Sequence, residues 1–341
     1  MIPFNKPYKT GKETKYIYDA VNSAKISGNG KYTQKCQKYF EDKYGFKKCL
    51  LTSSCTDALE MCALLLEIKP GDEIIMPSYT FVSTANAFVL RGANVIFADS
   101  SESNPNIDEN KVEGLITSRT KAIVVVHYAG ISCNMDKIMR IANKYKLIVV
   151  EDAAQAIDSY YKKKPLGSIG HLSTFSFHET KNIISGEGGM LAINDNRFLK
   201  RAEIIWEKGT NRVAFWRGEI DKYGWVDIGS SFLPSEIIAA FLYAQIEKLE
   251  KIQSKRIQIW NEYYKKLKSL KRNNKVILPY LPPYSGNNGH MFYLVCKNTK
   301  ERDELIMYLK ETGINAVFHY QSLHTSPFYI ISIKVRICPG A

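Results

Sequence analysis

Asp152 and Lys181 set the chemistry this chain can do. Asp152 closes a short apolar, β-branched run, LIVV at 147–150 followed by Glu151, which reads as a buried parallel strand with acids at its carboxyl end. Ligands of open α/β sheets bind at such ends. A second strand-like run, STFSF at 173–177, delivers His178, Glu179, Thr180, Lys181 and Asn182 into a turn, after which Gly186, Gly188 and Gly189 let the backbone pack tightly. A lysine and an acid at strand ends of one sheet match pyridoxal phosphate chemistry. The amine condenses with the cofactor's aldehyde, and the carboxylate keeps the ring nitrogen protonated so that the ring accepts electrons. Taken singly, each residue has a plainer reading, Asp152 as a helix cap and Lys181 as one more surface lysine.

Further stretches supply candidate partners. Cys49 to Thr52 runs as a strand into Ser53, Ser54, Cys55, Thr56 and Asp57, then into an apolar helical pattern. Small hydroxyl residues at such a turn are an ordinary N-cap, and they equally aim free N–H groups at an anion. Phe81 in PSYTF stands at another strand end, as a core aromatic or as a ring that stacks on a pyridine. EDAAQA, TFSFHETKN and GEGG together resemble the DegT/DnrJ/EryC1 family of sugar aminotransferases, within fold type I of the pyridoxal phosphate enzymes. The resemblance implies an α/β fold: a mostly parallel central sheet with helices on both faces, plus a smaller C-terminal α+β domain. It also implies cofactor contacts. Ser54, the Cys55 backbone and Thr56 form a phosphate cup, to which Ser176 adds a hydroxyl; Phe81 stacks on the ring, Gln155 reaches the phenolic oxygen, Asp152 meets the ring nitrogen and Lys181 holds the aldehyde.

The implied reaction is transamination of a nucleotide diphosphate sugar, with L-glutamate as amino donor and Lys181 moving the proton between cofactor and substrate carbons. The irregular stretch 209–232, rich in aromatics and arginine, has the composition of a functional loop. Its EKGTNR, FWRG and DKYGWVDIGSS runs resemble the dTDP-4-amino-4,6-dideoxygalactose transaminase subgroup, which points to a dTDP-4-keto-6-deoxyglucose substrate. Relatives lend this segment across a homodimer interface, so Arg212, Arg217 and Tyr223 become substrate candidates. His178, Asn182, His319, Tyr320 and His324 join them, and His127 is a weaker one. One departure stands out: the chain reads GSSFLP where many members read GYNYRM, so Ser231 replaces the asparagine that reaches the neighbouring subunit's phosphate. Its hydroxyl takes that contact directly or through water. Lys181 speaks against the dehydratase branch, which carries histidine there. Amination at C3 and a cofactor-binding regulator without turnover are the alternatives.

The surrounding elements must position these groups. At 341 residues with 45% hydrophobic and 24% charged residues, the chain is long enough for a large α/β domain over 1–233 and a smaller one over 234–341. Strands are expected at 49–52, 73–76, 94–98, 121–126, 147–150 and 173–177, with a further strand at 290–296 in the small domain. Residues 3–12 are expected to wrap onto the second domain or a partner. The net charge of +13 is concentrated in a Lys-rich helix near 247–275, whose spacing is that of a solvated face, and no nucleic-acid-binding motif accompanies it. No run of eighteen apolar residues and no signal peptide is present, so a cytoplasmic location without membrane attachment is expected. Cys36, Cys49, Cys55, Cys62, Cys133, Cys296 and Cys338 form no CxxC pair and read as free thiols. His178–Glu179 is not HExxH, so no metal site is expected. Family resemblance fades after about residue 328, and the ending IISIKVRICPGA reads as an altered tail that leaves Phe292, Leu294 and Val317 partly uncovered.

Overall fold

A computed structural model describes residues 1–272 and 275–331. Strands β1 (Lys48–Thr52), β2 (Glu73–Pro77), β3 (Asn94–Ala98), β4 (Thr120–Val126), β5 (Ile148–Asp152), β8 (Leu172–Ser176) and β9 (Gly189–Ile193) form a seven-stranded sheet; β6 (Tyr160–Tyr161) and β7 (Lys164–Pro165) form a small hairpin. The sheet order is β1-β9-β8-β5-β4-β2-β3, and every pairing is parallel except those of β9 with its two neighbours. Six strands therefore run one way. Their carboxyl ends, at Thr52, Pro77, Ala98, Val126, Asp152 and Ser176, open onto one edge.

The strands are apolar on both faces because both are covered. Val149 and Val150, successive on β5, are fully buried in two different cores, as alternation along a strand requires. Helices α2 (Lys31–Tyr44), α5 (Met135–Tyr145) and α8 (Glu236–Ile246) line one face; α3 (Cys55–Leu65), α4 (Val82–Val89) and α6 (Leu199–Trp206) line the other. α1 (Glu13–Asn22) packs on α8. The six strands expected in the large domain lie within a residue or two of those observed. β9 was read only as a glycine-rich turn. Its residues Met190–Ile193 are completely buried, a short apolar run with no alternation for sequence reading to detect.

The boundary expected at 233/234 falls just before α8, whose Ala239, Ala240, Leu242 and Ile246 lie in the same core as α2 and β5. α9 (Leu249–Arg272) buries Ile252 and Trp260 and leaves its lysines outside. No strand forms at 290–296. Only an isolated bridge joins Ile277 to Val295, so the backbone there is held by single contacts instead of a ladder. α10 (Thr299–Glu311) has no buried residue, and Ile2 bridges to Ile314 just beyond it, tying the chain's first residues to this part of the molecule. Phe292 and Leu294 are half-buried and Val317 is 44% exposed. The tail expected to be altered lies, from Ser332 onward, outside the described residues.

Candidate active site

Asp152 ends β5 with its carboxylate buried. The Thr84 hydroxyl donates to Oδ2 at 2.7 Å and the Ala154 amide to Oδ1 at 3.1 Å. Burial pushes the Asp152 carboxyl above its ordinary value, while Thr84, Ala154 and the nearby Lys181 amine oppose that shift. Lys181 lies on the loop after β8. Burial lowers its amine below the usual 10.5, opposed by Cys55 and Asp152. Among the described residues the amine makes no hydrogen bond or ion pair, and burial favours its neutral, nucleophilic form more than water does for a free lysine.

The loop that carries Lys181 is clamped from beneath. Arg256 of α9 donates to the Lys181 carbonyl at 3.1 Å and to the His290 carbonyl at 3.2 Å. The Asn182 amide donates to Gln253 at 2.8 Å and to the Asn288 carbonyl at 2.9 Å, and its oxygen faces His290 Nδ1 at 2.8 Å. Asn182 is thus 3% exposed with every polar atom used. It fixes the lysine loop and is not available as the substrate contact expected of it. A chain-adjacent polar residue next to the lysine looks like a ligand in sequence, because the partners that bury it come from more than seventy positions away.

The amino end of α3 forms the cup. The Ser54 hydroxyl caps the helix by accepting from the Asp57 amide at 3.1 Å, while the Cys55 and Thr56 amides have no acceptor among the described residues. Capping and anion binding thus coexist here. Gly189 pairs with both Thr52 and Ser176, and a Cβ there would come within 2.3 Å of the Ser54 carbonyl carbon. Only glycine brings Ser176 and the cup together. Thr56 and Ser83 share a hydrogen bond at 2.8 Å on the far side, and the buried Thr174 hydroxyl, beside Cys55, has no oxygen or nitrogen partner among the described residues. Orphan amides, a glycine-dependent approach, a buried acid and a lysine whose pKa is lowered by burial fit pyridoxal phosphate: the cup would take the phosphate, Asp152 the ring nitrogen and Lys181 the aldehyde carbon.

Phe81 is 53% exposed as the N-cap of α4, which excludes the core reading. Its ring lies 5.7 Å from that of Tyr320. Gln155 accepts from the Ala129 amide at 2.6 Å and donates to the Tyr320 hydroxyl at 3.3 Å. Tyr128 and His319 Nδ1 are 2.6 Å apart, and burial, with Lys181 nearby, pushes the His319 imidazole down to about 4. Phe81, Gln155, His319 and Tyr320 thus converge on Asp152 and Lys181. His324 is instead a tether, bonded to Ser78 at 2.6 Å, and His178 sits at the rim against Thr180 and Glu187.

Among the described residues no hydrogen bond, ion pair or ring contact joins the stretch 209–232 to Lys181, Asp152 or Gln155. Arg212 stacks on Tyr223 and Trp216 and bonds the Tyr223 hydroxyl at 2.8 Å, with no carboxylate partner among the described residues. Arg217 is a correction to the expectation of a substrate contact. It is paired with Glu203 at 2.8 Å and Glu219 at 2.6 Å, so its charge is already compensated. Ser231 is exposed and follows the cup closely, since the next residue's carbonyl accepts from the Ser53 amide at 2.9 Å. His127 also corrects its reading. It is completely buried, its Nδ1 accepting from the Cys133 amide and its Nε2 donating to Glu151 at 2.8 Å. Glu151 takes further amide bonds from Gly167 and Ile169, so the pair braces the two strand ends from the face opposite Asp152.

Thr80, Thr84, Tyr128, Arg256 and Gly189 were not singled out as site residues from sequence. Gly189 alone carried a signal, as the last glycine of GEGG. Among the described residues there is no cluster of potential metal ligands and no helix long and apolar enough to cross a membrane.

The model of the DegT/DnrJ/EryC1/StrS aminotransferase family matches residues 7–339. GDP-perosamine synthase of Escherichia coli O157:H7 is 33% identical over 329 residues, 96% of this chain and 87% of that protein. The spore coat polysaccharide biosynthesis protein SpsC of Bacillus subtilis is 32% identical over 335 residues, 96% of this chain and 85% of its own. Among solved structures, Helicobacter pylori PseC, an aminotransferase involved in the biosynthesis of pseudoaminic acid, superposes with a TM-score of 0.87 at 26% identity, covering 100% of this chain and 89% of its own.

Proposed function

We propose that this chain, which belongs to the DegT/DnrJ/EryC1/StrS aminotransferase family, transfers an amino group from glutamate to a keto-deoxysugar carried on a nucleotide diphosphate. It is a pyridoxal phosphate-dependent sugar aminotransferase. The observation that carries the proposal is the pairing of a buried Asp152 with the Lys181 amine, lowered by burial and unpartnered among the described residues, beside the amide cup of α3. When bound, the cofactor supplies an electron sink for the carbon that gains or loses the amino group. Asp152 would accept from the protonated ring nitrogen and so stabilise it, Lys181 would hold the aldehyde carbon and move a proton beside it, and the α3 amides would fix the phosphate. His319, neutral at physiological pH, offers a hydrogen-bonding edge on the substrate side, with Tyr320 and Phe81 as apolar walls.

Two readings of the nucleotide have support. The 209–232 stretch resembles the dTDP-linked subgroup and favours dTDP-4-keto-6-deoxyglucose aminated at C4. The relatives named for GDP-perosamine favour a guanosine carrier. The uncompensated Arg212 and the exposed Ser231 support a homodimer in which each copy completes its neighbour's site. Incubation with glutamate and either the dTDP- or the GDP-linked 4-keto-6-deoxysugar, followed by NMR location of the new C–N bond, tests the proposal. A 4-amino sugar on one carrier is expected. Turnover of neither, or amination at C3, would refute it.

A further inference from the structure

We infer that Thr84 is a positioning residue for this reaction: its hydroxyl, itself aligned by Thr80, orients the Asp152 carboxylate and holds it in the ionised form that a protonated pyridine ring needs. The inference rests on the cofactor reading above. Thr84 is 1% and Thr80 2% exposed, and both hydroxyls sit at the amino end of α4. Thr84 Oγ1 lies 2.7 Å from Asp152 Oδ2 and 2.8 Å from Thr80 Oγ1. A hydroxyl has one proton, and an ionised carboxylate can only accept, so the proton of Thr84 goes to Asp152. Thr80 must then donate to Thr84, and the direction of the relay is fixed.

A threonine inside a helix ordinarily bonds the carbonyl four residues back. Thr84 bonds the side chain of the residue at that spacing and spends its own proton on β5. The Ala154 amide engages the other carboxylate oxygen, so each oxygen has one donor from the protein and keeps lone-pair capacity for a cationic partner. The same short helix begins at Phe81, so one element sets the ring's wall and the acid beneath it. Among the described residues the titratable groups coupled to Asp152 through charge are Lys181 from the loop after β8, Cys55 and Cys62 from α3, His127 just beyond β4 and Tyr320 from the C-terminal part. Thr84 is the side chain that donates to the carboxylate.

The test is pyridoxal phosphate affinity of the full chain by equilibrium dialysis between pH 5 and 8, with thermal melting recorded in parallel. Thr84→Val should bind about ten- to a hundredfold more weakly, the range for one hydrogen bond to a charged group, and lose the cofactor at a higher pH on acidification. Thr84→Ser should restore both properties, and Thr80→Val should shift both in the same direction by less. If Thr84→Val fails to fold, Thr80→Val alone decides: wild-type affinity with an unmoved acid limb overturns the inference. Thr84→Val that melts earlier but binds as wild type overturns it too, because its role is then structural. A wild-type chain that does not bind the cofactor overturns the cofactor reading and this inference with it.

Discussion

At the residue scale, burial is what fits Asp152 and Lys181 to the proposed chemistry. Asp152 and Lys181 are both shifted by burial toward their neutral forms, and each is drawn back by the other's charge. The depressed lysine gives a signed pH dependence. Its amine is neutral above a pKa lower than that of free lysine, so cofactor attachment should accelerate as pH rises, with a midpoint below the free amine's ~10.4. Stopped-flow absorbance after adding pyridoxal phosphate to the apo-protein measures this, and a midpoint at or above that of free lysine would contradict the burial argument. Asp152→Ala should lower turnover by about a hundredfold or more, the scale of one proton-controlling group, with the circular dichroism spectrum unchanged. Undiminished turnover would remove Asp152 from the mechanism. Both residues were legible because strand-end acids and post-strand lysines carry local signals; Thr84 was not, since a threonine in an apolar helix looks like any other.

At the element scale, the sheet edge was readable from six short apolar runs, and the amino end of α3 from its hydroxyl cluster. β9 was not, and it matters most to the cup. Because it runs antiparallel between β1 and β8, its first residue touches both loops that would hold a phosphate. Gly189→Ala places a methyl 2.3 Å from the Ser54 carbonyl carbon and 2.4 Å from the Cys55 amide nitrogen. Overpacking of this kind costs about 1–3 kcal/mol, which denaturant titration should detect. Cofactor affinity should fall further than stability does, because the cup amides move apart from Ser176. Equal losses in both would mean that β9 supports the sheet without shaping the cup. His127 and Asn182 are taken up in bracing within the chain for one physical reason: polar residues beside a site are often consumed in that way, and their partners, Glu151, Gln253 and Asn288, are distant in sequence.

At the scale of the whole molecule, the proposed catalytic pair, the cup and the aromatic walls lie within one chain, whereas among the described residues no hydrogen bond, ion pair or ring contact joins Arg212, Tyr223 or Ser231 to its Lys181. If the site is shared, mixing Lys181→Ala with Arg212→Ala should restore part of the activity that each protein lacks alone, since one hybrid site is then intact. Two inactive proteins that stay inactive when mixed, while each forms dimers, would place Arg212 outside the site. Borohydride reduction followed by peptide mass spectrometry locates the lysine that carries the cofactor, which is proposed to be Lys181. The predicted result is a pyridoxyl adduct on the peptide containing Lys181, absent from the Lys181→Ala protein. An adduct on another lysine, or none at all, would contradict the account.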